Sequence, residues 1–388
     1  MICIVADDFT GAAEVAGICL RKGVAVGFLS DIPDVESIRS VDAAVLVLAE
    51  DTRSFTAEGA VKVSRLLAEN LKAAGVSCVL KKIDSALRGW VLLEMNAIAE
   101  VLGKTSLLIQ PANTATSRSV RDGLYYVGDK LLADTAFAND PEFPAKSSQV
   151  HNLLETRNTL ASATLPYQVP DAATKEDLRA CVRLCQDQTL AGGSADFLRE
   201  YLEEQIDLGL VKAEPQDEAP LSAADLQDCL MICGSAHLSS MQASDELARR
   251  GMPLMNLPAS MLQEEKVTDA DIRSFVEACA AAWNISKRLL VRFGDKPVKF
   301  ESCAEHLRYR MTESMYLLLQ KIKPSHLFIE GGATAYSLFQ RLGWNSFTPV
   351  REWTPGVVQL RLNQEPYCYI TLKPGSYAWP AFKNPNQE

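Results

Sequence analysis

Three short apolar runs near the start of the chain, Ile2–Ala6, Ala43–Leu48 and Val76–Leu80, each break off into a polar cluster. A helix-like segment follows each cluster: Ala12–Lys22, Thr56–Ala74 and Val91–Leu102. In Thr56–Ala74, Val61, Val63, Leu66, Leu67 and Leu71 lie on or near one stripe, and Gly75 stops the helix. Strand and helix patterns alternating in this way specify βαβ units on a mainly parallel sheet. Parallel strands end on one edge. The polar clusters Asp7-Asp8-Phe9-Thr10-Gly11, Asp51-Thr52-Arg53 and Lys81–Gly89 are therefore predicted to converge on a single crevice.

The residues in those clusters suit an anionic, hydroxylated small molecule. Lys81–Gly89 holds three cations (Lys81, Lys82, Arg88), the Asp84 carboxylate and the Ser85 hydroxyl. Lys82 and Arg88 could hold a carboxylate, Arg88 in bidentate fashion, while Asp84 takes a hydroxyl proton. Asp7 and Asp8 could accept hydrogen bonds from substrate hydroxyls, one of them as a general base. The plainer alternative makes Asp8 or Thr10 an N-cap, but two adjacent carboxylates repel, which favours a ligand role for at least one. Arg53, alone, would read as half of a surface ion pair with Glu50 or Asp51. Lys81–Gly89, alone, would read equally well as a capped turn.

At 388 residues the chain exceeds what one core supports, and two domains are the default. Periodicity fails from Pro111 to Pro144. Pro111-Ala112-Asn113 and Arg118–Arg121 look like loop, and Leu124–Leu132 like a hairpin around Gly128-Asp129, a stretch suited to covering a crevice. Helices are expected at Asp177–Gln188 and Ala195–Gly209. The Pro-rich, acidic Ala213–Leu221 is the linker candidate and divides the chain into residues 1–220 and 221–388. A second α/β series follows, with strands at Leu230–Cys233, Pro253–Leu257, Leu289–Arg292, His326–Ile329, Val357–Arg361 and Tyr367–Leu372. Here Glu330-Gly331-Gly332-Ala333-Thr334 is the clearest phosphate candidate, since two glycines let backbone N–H groups approach an anion at a helix start. Gly234-Ser235 holds the analogous position in the first turn of this half, and Gly375 offers a third close approach. Neither G-x-x-x-x-G-K-[ST] nor G-x-G-x-x-G occurs, which disfavours P-loop and dinucleotide readings.

The net charge of −10 argues against a broad nucleic-acid or anionic-membrane surface. No uncharged apolar run approaches the roughly 18 residues that cross a bilayer, and MICIVADDFTG lacks the basic start of a signal peptide. The ten cysteines are scattered in apolar company and the four histidines have no partner at metal-ligand spacing. Buried thiols in a cytoplasmic protein are expected, and no metal ligand can be named.

Taken as an ordered set, the motifs resemble the four-carbon acid sugar kinase family. The set runs from DDFTGA (Asp7–Ala12) through TRS (Thr52–Ser54), KKIDSALRG (Lys81–Gly89), GS (Gly234-Ser235), GGATA (Gly331–Ala335) and PGV (Pro355–Val357) to LKPGSY (Leu372–Tyr377). The resemblance implies two α/β domains, each on a mainly parallel sheet, with the active site in the cleft between them. It implies ATP-dependent phosphorylation of the terminal hydroxyl of threonate, erythronate or 3-oxo-tetronate, with Mg²⁺ bridging the phosphates. Carried over by motif, Asp8, Arg53, Lys82, Asp84 and Arg88 would face the sugar acid, with Asp7 beside them and Asp8 or Asp84 as base. Ser235, Gly331, Gly332, Ala333, Thr334 and Gly375 would face ATP. The partners implied are a sugar acid and ATP, with neither nucleic acid nor membrane, and a homodimer is left open. Two positions depart from the family pattern. Trp90 stands where a polar Asn or His often follows the Arg-Gly pair, and the tail Lys373–Ala378 lacks the last glycine of KxGxFG. Two other readings stay open: a catalytically silent protein that binds a sugar acid or nucleotide, and a phosphosugar isomerase or aldolase.

Overall fold

The structure is a computed structural model describing residues 1–140, 142–160, 164–214, 227–234, 238–263, 267–294, 303–375, 377 and 379–380. The chain forms two compact units, Met1–Pro215 and Gln216–Glu388. Most of the expected linker, and with it Ser235, lies outside the described residues.

The first unit runs β1 (Ile2–Ala6), α1 (Phe9–Arg21), β2 (Val26–Ser30), α2 (Val35–Arg39), β3 (Val45–Ala49), α3 (Ala57–Ala74), β4 (Cys78–Lys82), α4 (Val91–Leu102) and β5 (Ser106–Gln110). Then come β6 (Arg118–Arg121), β7 (Leu124–Val127), β8 (Lys130–Leu131), α5 (Val150–Thr156), β9 (Tyr167–Gln168), α6 (Lys175–Val182), β10 (Thr189–Gly193) and α7 (Ala195–Asp207). Its strands lie in the order β2-β3-β1-β4-β10-β5-β9, every pair parallel. β1 and β3 are buried along their whole length. Helices cover both faces, which is why these strands read as continuous apolar runs and not as alternating ones. α1 and α7 pack together, as do α3 and α4. β1 and β4 are neighbours in register, Ala6 opposite Lys82. From them the chain leaves in opposite directions across the sheet, β1 toward β2 and β4 toward β5. A crevice outside the strand ends forms at such a switch point.

Two differences from the sequence reading have physical causes. The predicted helix Asp177–Gln188 ends at Val182, and the following Thr189–Gly193 is a strand in the middle of the sheet. Its glycines hid it. A Cβ on Gly193 would lie 2.3 Å from the Phe197 ring, and one on Gly192 2.8 Å from the Met95 sulfur, so packing from both sides excludes side chains there. Arg118–Arg121 is likewise a strand, joined to Leu124–Val127 through Asp122 (φ 51°) and Gly123 (φ 70°) in a small antiparallel sheet.

The second unit contains β11 (Cys229–Cys233), α8 (Leu238–Arg249), β12 (Leu254–Asn256), α9 (Asp269–Ser286), β13 (Arg288–Arg292) and α10 (Cys303–Leu319). It continues with β14 (His326–Glu330), α11 (Gly332–Leu342), β15 (Ser346–Thr354), β16 (Val357–Leu362) and β17 (Tyr369–Lys373). The strand order is β12-β13-β11-β14-β17-β16-β15, parallel from β12 to β17 and antiparallel over the rest. β15 was not expected, because Pro349 and the polar residues around it break the apolar pattern, and the register slips between Pro349 and Arg351. Cys229, Met231, Leu247, Leu290 and Phe328 form a buried core on the α8 side. No helix among the described residues is long and apolar enough to cross a membrane.

Candidate active site

The three polar clusters of the first unit meet around one guanidinium. β1, β3 and β4 end level with one another, Ala6 opposite both Ala49 and Lys82. The residues just beyond are therefore delivered to a common point. Arg53 lies within ion-pair distance of Asp8 at 2.6 Å, Asp7 at 2.9 Å and Asp84 at 3.7 Å. Its side chain is only 14% exposed. Burial works against its charge, but Asp7, Asp8 and Asp84 outweigh that and hold its pKa well above the ordinary arginine value.

Asp8 does two things at once. It caps α1, its Oδ1 accepting from the Gly11 N–H and from the Thr10 hydroxyl at 3.1 Å, while Oδ2 faces Arg53. The cap starts the helix at Phe9, earlier than the sequence reading had it. Burial would raise the Asp8 pKa, but Arg53, Lys82 and the cap N–H hold it below the usual carboxylate range. Lys82 points to the same side and lies 3.8 Å from Glu14 on α1.

Asp84 is built into its own loop. Oδ2 accepts from the backbone N–H of Ala86 at 3.0 Å and of Arg88 at 3.2 Å, and from Arg88 Nε at 3.0 Å. Arg88 Nη2 donates to Oδ1 at 2.8 Å. Against the cost of burial, Arg53 and Arg88 keep this carboxyl ionised far below the normal range. The bidentate fork of Arg88 is thus closed on Asp84, and its Nη1 reaches Asp140 at 3.4 Å. Gly89 follows with φ 90°, and a Cβ there would sit 3.3 Å from Asp7 Oδ2. That turn demands glycine.

Sequence reasoning missed three contributors, Arg118, Asp140 and Arg157, and counted Lys81 among the cations of the ligand cluster. Arg118 on β6 donates to the Ser85 hydroxyl and lies over the Phe137 ring. Asp140 joins from the following loop. Arg157 donates to the carbonyls of Leu87 and Phe143. Lys81 faces away from Lys82 and pairs at 2.5 Å with Glu94 on α4, both about 1% exposed. The alternation of side chains along β4 could have revealed this last pairing, given that the strand includes Lys81 and Lys82. Trp90 donates its indole N–H to the Phe55 carbonyl, packs edge-on against Phe143, and with Arg157 lines a cavity of about 260 Å³.

In the second unit, β11, β14 and β17 lie side by side, with Cys233 opposite Glu330 and Glu330 opposite Lys373. α11 begins immediately after Gly331, which has φ 100° and provides no side-chain cap. The first-turn N–H groups over Gly332, Ala333 and Thr334 are left for an anion. A Cβ on Gly234 would lie 2.1 Å from Thr334 Oγ1, so the two glycine turns pack directly on each other. Gly375 accepts from Ser240 Oγ at 3.2 Å. Buried Lys373 pairs with buried Glu330 at 3.2 Å, and Trp379 Nε1 donates to the same carboxylate. Burial pushes the Glu330 pKa up and the Lys373 pKa down. Four of the six expected nucleotide residues thus form one turn, with Gly375 on a neighbouring strand end and Ser235 outside the described residues. No cluster of three metal-ligating side chains occurs among the described residues.

Residues 2–191 match the family described as the sugar-binding N-terminal domain. A D-threonate kinase from Bordetella bronchiseptica is 34% identical over 198 residues, 46% of this chain and 48% of that protein. The matched stretch thus spans about half the relative's length. A 3-oxo-tetronate kinase from Cupriavidus necator is 23% identical over 97% of this chain and 94% of its own. Among solved structures, a Salmonella typhimurium LT2 protein superimposes with a TM-score of 0.74 at 20% identity, covering 97% of this chain and 96% of that one. It has the same mixed α/β fold.

Proposed function

Since the chain belongs to the four-carbon acid sugar kinase family, we propose that it transfers the terminal phosphoryl group of ATP to the terminal hydroxyl of a four-carbon hydroxy acid. The observation that carries this reading is the cluster in which Arg53 gathers Asp7, Asp8 and Asp84 at a strand edge. The first unit takes the acid and the second takes ATP at the uncapped turn Gly331–Thr334.

Phosphoryl transfer asks little covalent work of a protein. It asks for positioning and for charge opposite the transferring group. In this reading Asp8, its Oδ2 shared with Arg53 but its side chain 19% exposed against 9% for Asp84, accepts the hydroxyl proton. Asp84 has its oxygens committed to Arg88 and two backbone N–H groups, and it holds the loop in shape. Lys82 stands near Asp8 and offsets charge developing on the acceptor oxygen. Mg²⁺ would arrive with the triphosphate, held by phosphates and water with at most one or two carboxylates, a donor set that needs no three-residue cage.

The test is ADP release by the full chain with Mg²⁺ and ATP, across D- and L-threonate, D- and L-erythronate and 3-oxo-tetronate. Turnover well above the acid-free rate is expected with at least one. No turnover with any acid would reject the reading. If the acids raised the melting temperature all the same, a silent binding protein would replace it.

A further inference from the structure

The cations of the first unit differ in what they have left to offer. Arg53 is met by Asp7, Asp8 and Asp84, and Arg88 by Asp84 and Asp140. Arg118 is met by no carboxylate among the described residues. Its Nη1 donates to the neutral Ser85 hydroxyl, inside the same loop that carries Asp84 and Arg88. Its Nε is buried and has no hydrogen-bond partner among the described residues. The Phe137 ring lies under both Arg118 and Arg88, with ring centroids 5.1 and 5.8 Å from the two guanidinium carbons. Asp84 and Asp140 already meet the Arg88 charge, so the charge left over this ring is that of Arg118, and a buried guanidinium N–H without an acceptor is costly until one arrives.

Asn113 completes the picture. It exchanges both backbone hydrogen bonds with Arg118, at 3.0 and 2.9 Å, so the two side chains rise from the same face of that bridge. The Asn113 side-chain oxygen is also buried without a partner among the described residues. The bridge therefore carries an unmet donor on a cation and, on its cross-strand partner, an unmet acceptor. A carboxylate satisfies the first and a neighbouring hydroxyl proton the second.

We propose that Arg118, with Asn113 beside it, is the anchor for the carboxylate end of the acceptor, and that the group it selects is an α-hydroxy acid. This rests on reading the first unit as the acceptor site. It moves the carboxylate contact from Arg88, whose fork Asp84 occupies, to a residue on the β6–β7 hairpin. Arg118 is a specificity-determining residue: it sets which molecule is held and leaves phosphoryl transfer to others.

Isothermal titration of the full chain without ATP tests the assignment apart from catalysis. Wild type is titrated with the four-carbon hydroxy acids, their 2-deoxy counterparts and the uncharged tetritols. It should prefer the hydroxy acids over both. Arg118→Gln should lower hydroxy-acid affinity roughly tenfold or more while tetritol binding stays unchanged, and Arg118→Lys should fall between. A loss of packing alone would weaken acid and tetritol together and would overturn the proposal. So would a Gln variant that binds acids as wild type does, or a wild type with no preference for acids. If Arg118→Gln failed to fold, the ligand preference of wild type and the partial loss in Arg118→Lys would still decide. Acid binding without ADP release would reject the kinase reading and leave the Arg118 assignment standing. Turnover with unchanged acid affinity in the Gln variant would reject Arg118 alone.

Discussion

Directly beneath the Arg53 cluster lies a buried carboxyl whose proton should be visible in the stability of the whole chain. Glu50 follows β3, is 1% exposed, and has no hydrogen-bond partner for either oxygen among the described residues. The neighbouring Lys81 is already paired with Glu94. One cation cannot neutralise two buried carboxylates, so Glu50 keeps its proton. Burial first, then Glu94, Asp31 and Asp7, push its pKa from 4.5 up to about 8, against the pull of Lys81. The sign follows from linkage. A carboxyl with a raised folded pKa is protonated in the native state and ionised in the unfolded chain between those two values. Stability is therefore full below pH 4.5 and falls as pH rises toward 8, at about 1.4 kcal/mol per unit from this group. Between pH 5 and 8 the loss integrates to about 3 kcal/mol. Glu50→Gln copies the neutral form and removes it. Urea unfolding at pH 5, 6, 7 and 8 reads the effect as a difference between variant and wild type. The two should be near equal at pH 5, with the variant more stable by about 3 kcal/mol at pH 8. Parallel curves across that range would refute the reasoning, because they would mean that Glu50 ionises in the folded protein as it does in the unfolded one.

The two candidate bases should separate in the same kind of measurement. Asp8→Asn keeps a good helix cap and leaves Asp7 on Arg53, so losing its own pair with Arg53 should cost about 1–2 kcal/mol of stability, while turnover falls by about a hundredfold or more. Asp84→Asn breaks the bidentate pair with Arg88 and should cost about 2–4 kcal/mol in urea unfolding, whatever it does to turnover. In the second unit, Gly234→Ala would place a Cβ 2.1 Å from Thr334 Oγ1 and 2.9 Å from the Glu330 carbonyl. It should displace the Gly331–Thr334 turn and weaken binding of a non-hydrolysable ATP analogue roughly tenfold or more, read by titration, with acid binding unchanged.

The architecture was legible wherever burial imposes a pattern. Strands covered on both faces must be apolar throughout, so β1 and β3 announced themselves. The convergence of Asp7-Asp8, Arg53 and Lys82–Arg88 then followed from parallel strands sharing an edge. What stayed hidden was a strand whose packing forbids side chains. Thr189–Gly193 carries little apolar signal because Met95 and Phe197 occupy the space its own side chains would need. Arg118 was hidden for a different reason: it sits in a small antiparallel sheet held by an Asp-Gly turn and cross-strand bonds, and such a sheet needs no long apolar period.

The roles of the site residues were legible only in part, because a sequence shows which charges are near and not which of them are spent. Lys81, Lys82, Asp84 and Arg88 all appear available in KKIDSALRG. Folding divides them. Strand alternation turns Lys81 down toward Glu94 and Lys82 up toward Asp8, so neighbours in sequence serve opposite faces of the sheet. Asp84 and Arg88, four apart across a tight turn, bind each other before either can bind a ligand. An active site assembled from a loop must hold that loop in shape, and the strongest pairs available locally are used to do so. The groups left over for substrate are those whose partners come from farther along the chain or have not come at all. By that criterion Arg118, which lies outside the motif, is better placed to meet the acceptor than Arg88, whose fork Asp84 fills.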